Sequence, residues 1–293
     1  MIHVGGFYKN EKDPTFNNRE RIRDSMGFFD KLFSGSKQEP KKETVKQKIR
    51  AQFKDEKYFN KEILRIGNSI SNFKEDDKEY INQHGKLTPF HYISYCLKLN
   101  KKIENYYSIG EDREVIDPVF QESIENFSQG FSEDYQGYPL LLQMVSLGIL
   151  LDVKPKEFEK IKDFIYKVHN SSNIEPIWKP DNLIFFLLGD QENKRQGDTP
   201  YEKLYETTQL TKEEAEKTIK DYLEKWYRMH KDDPWYNTHL RDTGYSGYWA
   251  WEVAAVVKKM GLDDTRFKNN PYYPYDILKG LEKNRQVIVV DIK

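Results

Sequence analysis

The sequence predicts an all-α fold: a multi-helix, bundle-like array in which an N-terminal helical domain packs on a larger C-terminal helical domain. Three observations predict it. From Thr44 onward, apolar residues recur at helical spacing almost without a break. Several segments open on helix-start signatures, of which Thr88-Pro89 and Thr211-x-x-Glu214 are the clearest. The 293 residues are 32% charged and 14% aromatic. Charge at that density needs a solvated surface, and that many rings supply the core that disordered chains lack.

Residues 1–43 read as a flexible or poorly structured segment, with GG, DP, NN and SGS strings and the Lys/Glu/Pro tract KQEPKKE. Within it Phe28, Phe29, Leu32 and Phe33 can share one face of a short amphipathic helix, and Met26 reads as a natural start. Residues 44–135 form the expected N-terminal helical domain. A long helix is predicted over Val45–Phe73 from Phe53, Phe59, Ile63, Ile66, Ile70 and Phe73. A second runs from Pro89 to Tyr107, capped by Thr88, with Ile93, Leu97, Ile103 and Tyr107 inward. A third covers Val115–Phe127.

Residues 136–282 form the expected C-terminal helical domain. Its first helix, Pro139–Leu151, is apolar nearly all round and reads as a buried core helix. It is too short for the ~20 residues a bilayer span needs. The next follows Pro155, with Phe158, Ile161, Ile165 and Val168 inward. Short helices follow over Asp181–Leu188, capped by Asp181, and from Thr199-Pro200. Thr211 and Glu214 form a capping box for a helix ending at His230, striped by Ile219, Leu223, Trp226 and Tyr227. A further helix is predicted over Gly247–Met260, stopped by Gly261, and a last one over Pro274–Leu281. The tail, 283–293, carries VIVVD, a β-branched string with no evident partner.

Composition narrows the function classes. Lys+Arg is 47 and Asp+Glu is 48, a net charge of −1, which argues against a dedicated nucleic-acid binder. One cysteine, Cys96, excludes an internal disulfide and fits a cytoplasmic protein. No secretory leader is visible in the given sequence. Phosphate-loop, dinucleotide and nucleophile-elbow motifs are missing, as is H-E-x-x-H, so no cofactor or metal is expected. His230 and His239 flank Asp232, Asp233 and Trp235. They read either as a helix C-terminus, where His230 and Lys231 complement the dipole, or as a small acid/base or metal cluster serving a hydrolase.

Charge is unevenly spread. Between Glu111 and Gln136 stand eight acids and one base, whereas residues 1–60 hold 14 bases and 9 acids. The acidic window is either a solvated helix face or a docking surface for a basic protein, since such a face repels nucleic acid and steers basic partners. Asp117, Glu122, Glu125, Glu133 and Asp134 are its candidate partner-binding residues.

The aromatic run Gly244–Leu278 is the most distinctive segment: GYSGYWAWEVAAVVKKMGLDDTRFKNNPYYPYDIL. Read from its residues, it is either a core helix with an anchored turn or an aromatic ligand pocket. Glu252 lies among apolar neighbours, so if buried it needs a hydrogen bond or a partner. Pro271 and Pro274 bracket Tyr272 and Tyr273 in a rigid turn, and Asp276 falls in the first turn of the helix that follows.

That run resembles the C-terminal domain of the PoNe immunity proteins, the PoNi-like family. Tyr248, Trp249, Glu252, Ala254, Ala255, Asp263, Asp264, Tyr272, Tyr273, Pro274 and Asp276 match its motif. The likeness covers about residues 138–280, and DEKYFNKEI (Asp55–Ile63) looks like part of the family's N-terminal domain. The resemblance implies an α-helical, non-enzymatic protein that binds and neutralises a cognate DNase toxin of a bacterial competition system. A DNase presents a basic, phosphate-seeking surface, which the acidic window complements. A helical scaffold that binds some other partner is the alternative reading.

Overall fold

A computed structural model describes residues 43–47, 49–190, 200–281 and 285–289. The expectations for Met26 and the Phe28–Phe33 face lie outside these residues. Strand β1 (Glu43–Gln47) pairs antiparallel with β2 (Arg285–Val289). Thr44 stands opposite Ile288, and Val45 opposite Val287. The C-terminal string therefore does have a partner, and it is the stretch the sequence reading assigned to the start of the first helix. Apart from this ribbon, every regular element among the described residues is helical.

Helix α1 spans Glu56–His84. It begins eleven residues later than the periodicity suggests because Asp55 is its N-cap, accepting from Tyr58 N at 2.9 Å. Residues 50 and 51 carry no regular structure, and their N–H groups both donate to the Ser108 carbonyl. The Arg50 side chain, 4% exposed, bonds Asp276 at 2.9 Å and the carbonyls of Tyr107 and Glu111. Those long-range bonds hold the segment out of the helix.

Helices α2 (Pro89–Ile109) and α3 (Arg113–Gln129) follow, and α1 packs on α2 and α2 on α3. Thr88 and Asp112 cap them. Helix α4 (Tyr138–Leu150) is the hub: ten of its 13 residues are buried. It meets α5 (Pro155–Asn170), α6 (Asn182–Leu188) and α9 (Trp251–Met260). Between them α7 (Pro200–Thr207) and α8 (Lys212–Met229) pack on each other, with α6 against α7. The Thr211–Glu214 capping box forms as expected. Helix α10 (Tyr275–Leu278) closes the series, one turn long and shorter than the Pro274–Leu281 reading.

One large apolar cluster runs from Ala51, ahead of α1, to Leu281, with a satellite of Ile66, Ile70, Tyr95 and Leu99 between α1 and α2. Helix α9 starts at Trp251, four residues after the expected Gly247. Gly247 has φ +101°, and a Cβ there would strike Trp249 and Ser108. The irregular path of 244–250 is held by Ala250 N donating to the Tyr272 carbonyl at 2.8 Å and by Ser108 Oγ donating to the Ser246 carbonyl. Tyr248 and Trp249 thus sit on an irregular segment before the helix.

Candidate partner-binding surface and aromatic cavity

Helix α3 carries three of the five candidate acids, and each turns to a different neighbour. Glu122 faces α1 and α2, accepting the Tyr95 hydroxyl at 2.6 Å and the Lys74 ammonium at 2.9 Å. Partial burial would raise its pKa, but those two donors hold the carboxyl below its ordinary value. Glu125 faces α5 and pairs with Lys160. Asp117 pairs with Arg113 on its own helix at 3.0 Å, and burial raises its pKa against that partner's pull. The structure places Glu133 and Asp134 together in the α3–α4 loop, both exposed, with Glu133 accepting from the Ser171 hydroxyl.

Asp134 stands on the rim of a feature the sequence reading missed. A groove of about 540 Å³ runs between the N-terminal half of α2 and the α3–α4 loop, lined by Phe90, Ile93, Leu97, Tyr135 and Leu140. Phe90 is 73% exposed and Leu97 50%. Helical spacing predicts Leu97 inward, yet the buried face of α2 is carried by Cys96, Leu99, Ile103 and Tyr107. The signal was present in that α2 is apolar on more than one face, since Phe90, Ile93 and Leu97 form a second row beside the buried one.

The C-terminal motif builds an interior. Glu252, in the first turn of α9, is 7% exposed, and Trp226 Nε1 on α8 donates to its Oε1 at 2.6 Å. Burial raises the Glu252 pKa, opposed by His230 and by the Trp226 bond. Trp249 Nε1 donates to Ser108 Oγ at 2.9 Å, and the Tyr248 hydroxyl meets His239 N at 3.1 Å. Asp264, 4% exposed, takes Lys279 and the Tyr273 hydroxyl. Asp263 is exposed and accepts from Thr265, whose bonds hold its carboxyl below the usual range. Tyr272 stacks on Tyr227, ring centroids 5.4 Å apart, Pro274 is buried, and Asp276 holds Arg50. The motif residues therefore tie α8, α9 and the 244–250 segment to one another and to the N-terminal segment.

A cavity of about 210 Å³ opens among these residues, lined by Trp226, Trp235, Trp249, Trp251, His230 and Glu252. The two histidines read as a cluster are engaged separately. His230 Nδ1 bonds Asp233 at 2.6 Å, and His239 stacks on Phe53 and bonds the Tyr248 hydroxyl. Among the described residues no group of three or more His, Cys, Asp or Glu could hold a metal ion.

Two family models match the chain. The C-terminal domain of PoNe immunity proteins (PoNi) matches residues 180–277, and the N-terminal domain matches residues 48–163. The chain belongs to the PoNe immunity protein family. The matched residues of this PoNe immunity protein include Glu252, Trp226 and Arg50, so the contacts described above fall within the family's span. In fold it is similar to the crystal structure of protein PA2201 from Pseudomonas aeruginosa. That likeness has 17% identity and a TM-score of 0.59, over 80% of this chain and 91% of that one. No curated protein matches it. Among the described residues no helix is long and apolar enough to cross a membrane.

Proposed function

We propose that this immunity protein binds a cognate PoNe-type DNase toxin and neutralises it by covering the toxin's active site with the acidic edge of α3 and the α3–α4 loop. In this reading it is not an enzyme, needs no cofactor, touches no nucleic acid and acts in the cytoplasm. The pair of family matches carries the reading. What supports the location is the conjunction of Glu133 and Asp134, both exposed, with the uncovered apolar side chains Phe90 and Leu97 beside Asp134. Apolar anchors with a charged rim are the anatomy of a protein interface, the anchors holding the complex and the charges steering its formation.

The test is co-expression with a PoNe-type DNase toxin sought in the gene's neighbourhood as its cognate, scoring survival and complex formation together. Rescue with a stable complex is expected. The triple reversal Glu122→Lys, Glu125→Lys and Asp134→Lys should slow association about tenfold at low salt and flatten its salt dependence. A folded triple variant that binds and protects like the wild type would move the interface elsewhere. Absence of rescue and of complex with both proteins folded would overturn the immunity reading itself.

A further inference from the structure

The aromatic cavity is more than a packing gap. Four of the five tryptophans line it, Trp226, Trp235, Trp249 and Trp251. Glu252 lines it too, and no lysine or arginine pairs with that carboxylate among the described residues. Two further polar groups on its walls, Ser146 Oγ and His230 Nε2, are buried without a hydrogen-bond partner. A buried polar atom left unserved loses its hydration without replacement, so a native interior that keeps two of them needs a reason. A wider vestibule of about 490 Å³ shares Tyr201, His230 and Trp235 with the cavity and reaches Asp233, whose side chain is 40% exposed. Leu97 and Pro139 line both the cavity and the groove beside Asp134.

The chemistry of these walls selects one kind of guest. Indole and phenol faces carry negative quadrupole charge and attract cations, tryptophan most strongly. An anion would meet Glu252, and a purely apolar guest would leave Ser146 and His230 unserved. The volume is several times the ~30 Å³ share of one water, enough for a small head on a short alkyl stem. We propose that this cavity is a binding site for an alkylguanidinium or alkylammonium group. The guest's N–H groups donate to Glu252 and Ser146 while its stem lies against the rings. At the mouth Lys101 is paired with Glu104 at 3.3 Å, so the rim is close to neutral and does not bar a cation. The cation comes either from a lysine or arginine side chain of the toxin or from a free small molecule. The first source rests on the reading under Proposed function.

The experiment titrates n-butylguanidinium into the full chain, following tryptophan fluorescence and the Trp226 indole N–H signal, with n-pentanol as the neutral control. A saturable change that moves the Trp226 signal is expected, absent with n-pentanol and weakened at least tenfold in Glu252→Gln. If Glu252→Gln does not fold, Trp235→Leu, half-buried at the vestibule, takes its place with the same expectation. A non-saturating response, or an equal response to n-pentanol, overturns the proposal. A second arm adds the toxin. Competition by n-butylguanidinium, with weaker toxin capture by the variant, assigns the cation to a toxin side chain. Saturable binding without competition assigns it to a free cation. Failure of the wild type to capture toxin sinks the immunity reading and leaves the titration to decide the cavity.

Discussion

Replacing Glu252 by glutamine should change how stability depends on pH, with a sign fixed by the geometry. The carboxyl is 7% exposed, and burial raises its folded pKa above the ordinary value of 4.5. The folded protein therefore binds the proton more tightly than the unfolded chain. The neutral acid's contribution is complete below the unfolded value and is lost as pH rises through the folded one. Glutamine keeps an acceptor for the Trp226 indole, 2.6 Å away in the wild type, and does not titrate. The difference in melting temperature, wild type minus Glu252→Gln, should fall steadily as pH rises from about 4.5. Any pH-independent cost of the extra amide donors cancels from that slope. Glu252→Ala is the complementary change. It strands the Trp226 N–H, a loss of about 1–3 kcal/mol, or roughly 2–12 °C for a chain of this size, and most at low pH, where the wild-type carboxyl is neutral. Circular dichroism melts at 222 nm across pH 4.5–8 measure both. A difference that is flat or rises with pH would refute the argument that burial dominates at this site.

Arg50→Met should cost about 2–3 kcal/mol, because three hydrogen bonds from a buried guanidinium are lost and one goes to a carboxylate; denaturant titration reads it directly. Gly247→Ala should lose at least about 2 kcal/mol, since it combines a left-handed φ with a Cβ that meets Trp249 and Ser108; the same titration decides. Cys96 is fully buried beside Ser123, and burial pushes its thiol up to about 12. A thiol reagent at pH 8 should label it at the rate of global unfolding, and fast labelling of the native protein would contradict the packing described.

What the sequence disclosed and what it hid divide along the range of the interactions involved. The caps Thr88, Asp181 and Thr211 signal α2, α6 and α8 because the decisive bonds lie within a turn. The starts of α1 and α9 were misplaced because partners far along the chain override the local period. Arg50 and Asp276 are 226 positions apart, and Ala250 is held by Tyr272 across a turn and a helix. A carboxylate among apolar neighbours announced that Glu252 needs a partner, but the identity of Trp226 depends on how α8 crosses α9. The groove went unread for a similar reason: a second apolar row on α2 is visible in sequence, but whether a neighbour covers it is a property of the packing.

The acidic window shows why a charge count along the chain is not a surface charge. Glu122 is met by Lys74, 48 positions away, and Glu125 by Lys160, 35 positions away. Both lysines come from other helices and so fall outside the window. The excess of acids in sequence becomes in space a set of exposed ion pairs, each worth about 0–1 kcal/mol, and a smaller group around Glu133 and Asp134 to which, among the described residues, no lysine or arginine is paired. A basic partner that docks along α3 exchanges Lys74 and Lys160 for its own cations, which returns little net energy because one solvated pair replaces another. A partner that docks over the α3–α4 loop meets carboxylates that no described lysine or arginine holds, next to apolar surface from Phe90 and Leu97 that water leaves on contact. Burial of apolar area gains roughly 25 cal/mol per Å², whereas the acids mainly raise the rate of encounter. In the proposed complex that division of labour would have the groove set how long the complex lasts and the loop acids how fast it forms, while the ion pairs on α3 would add little to either.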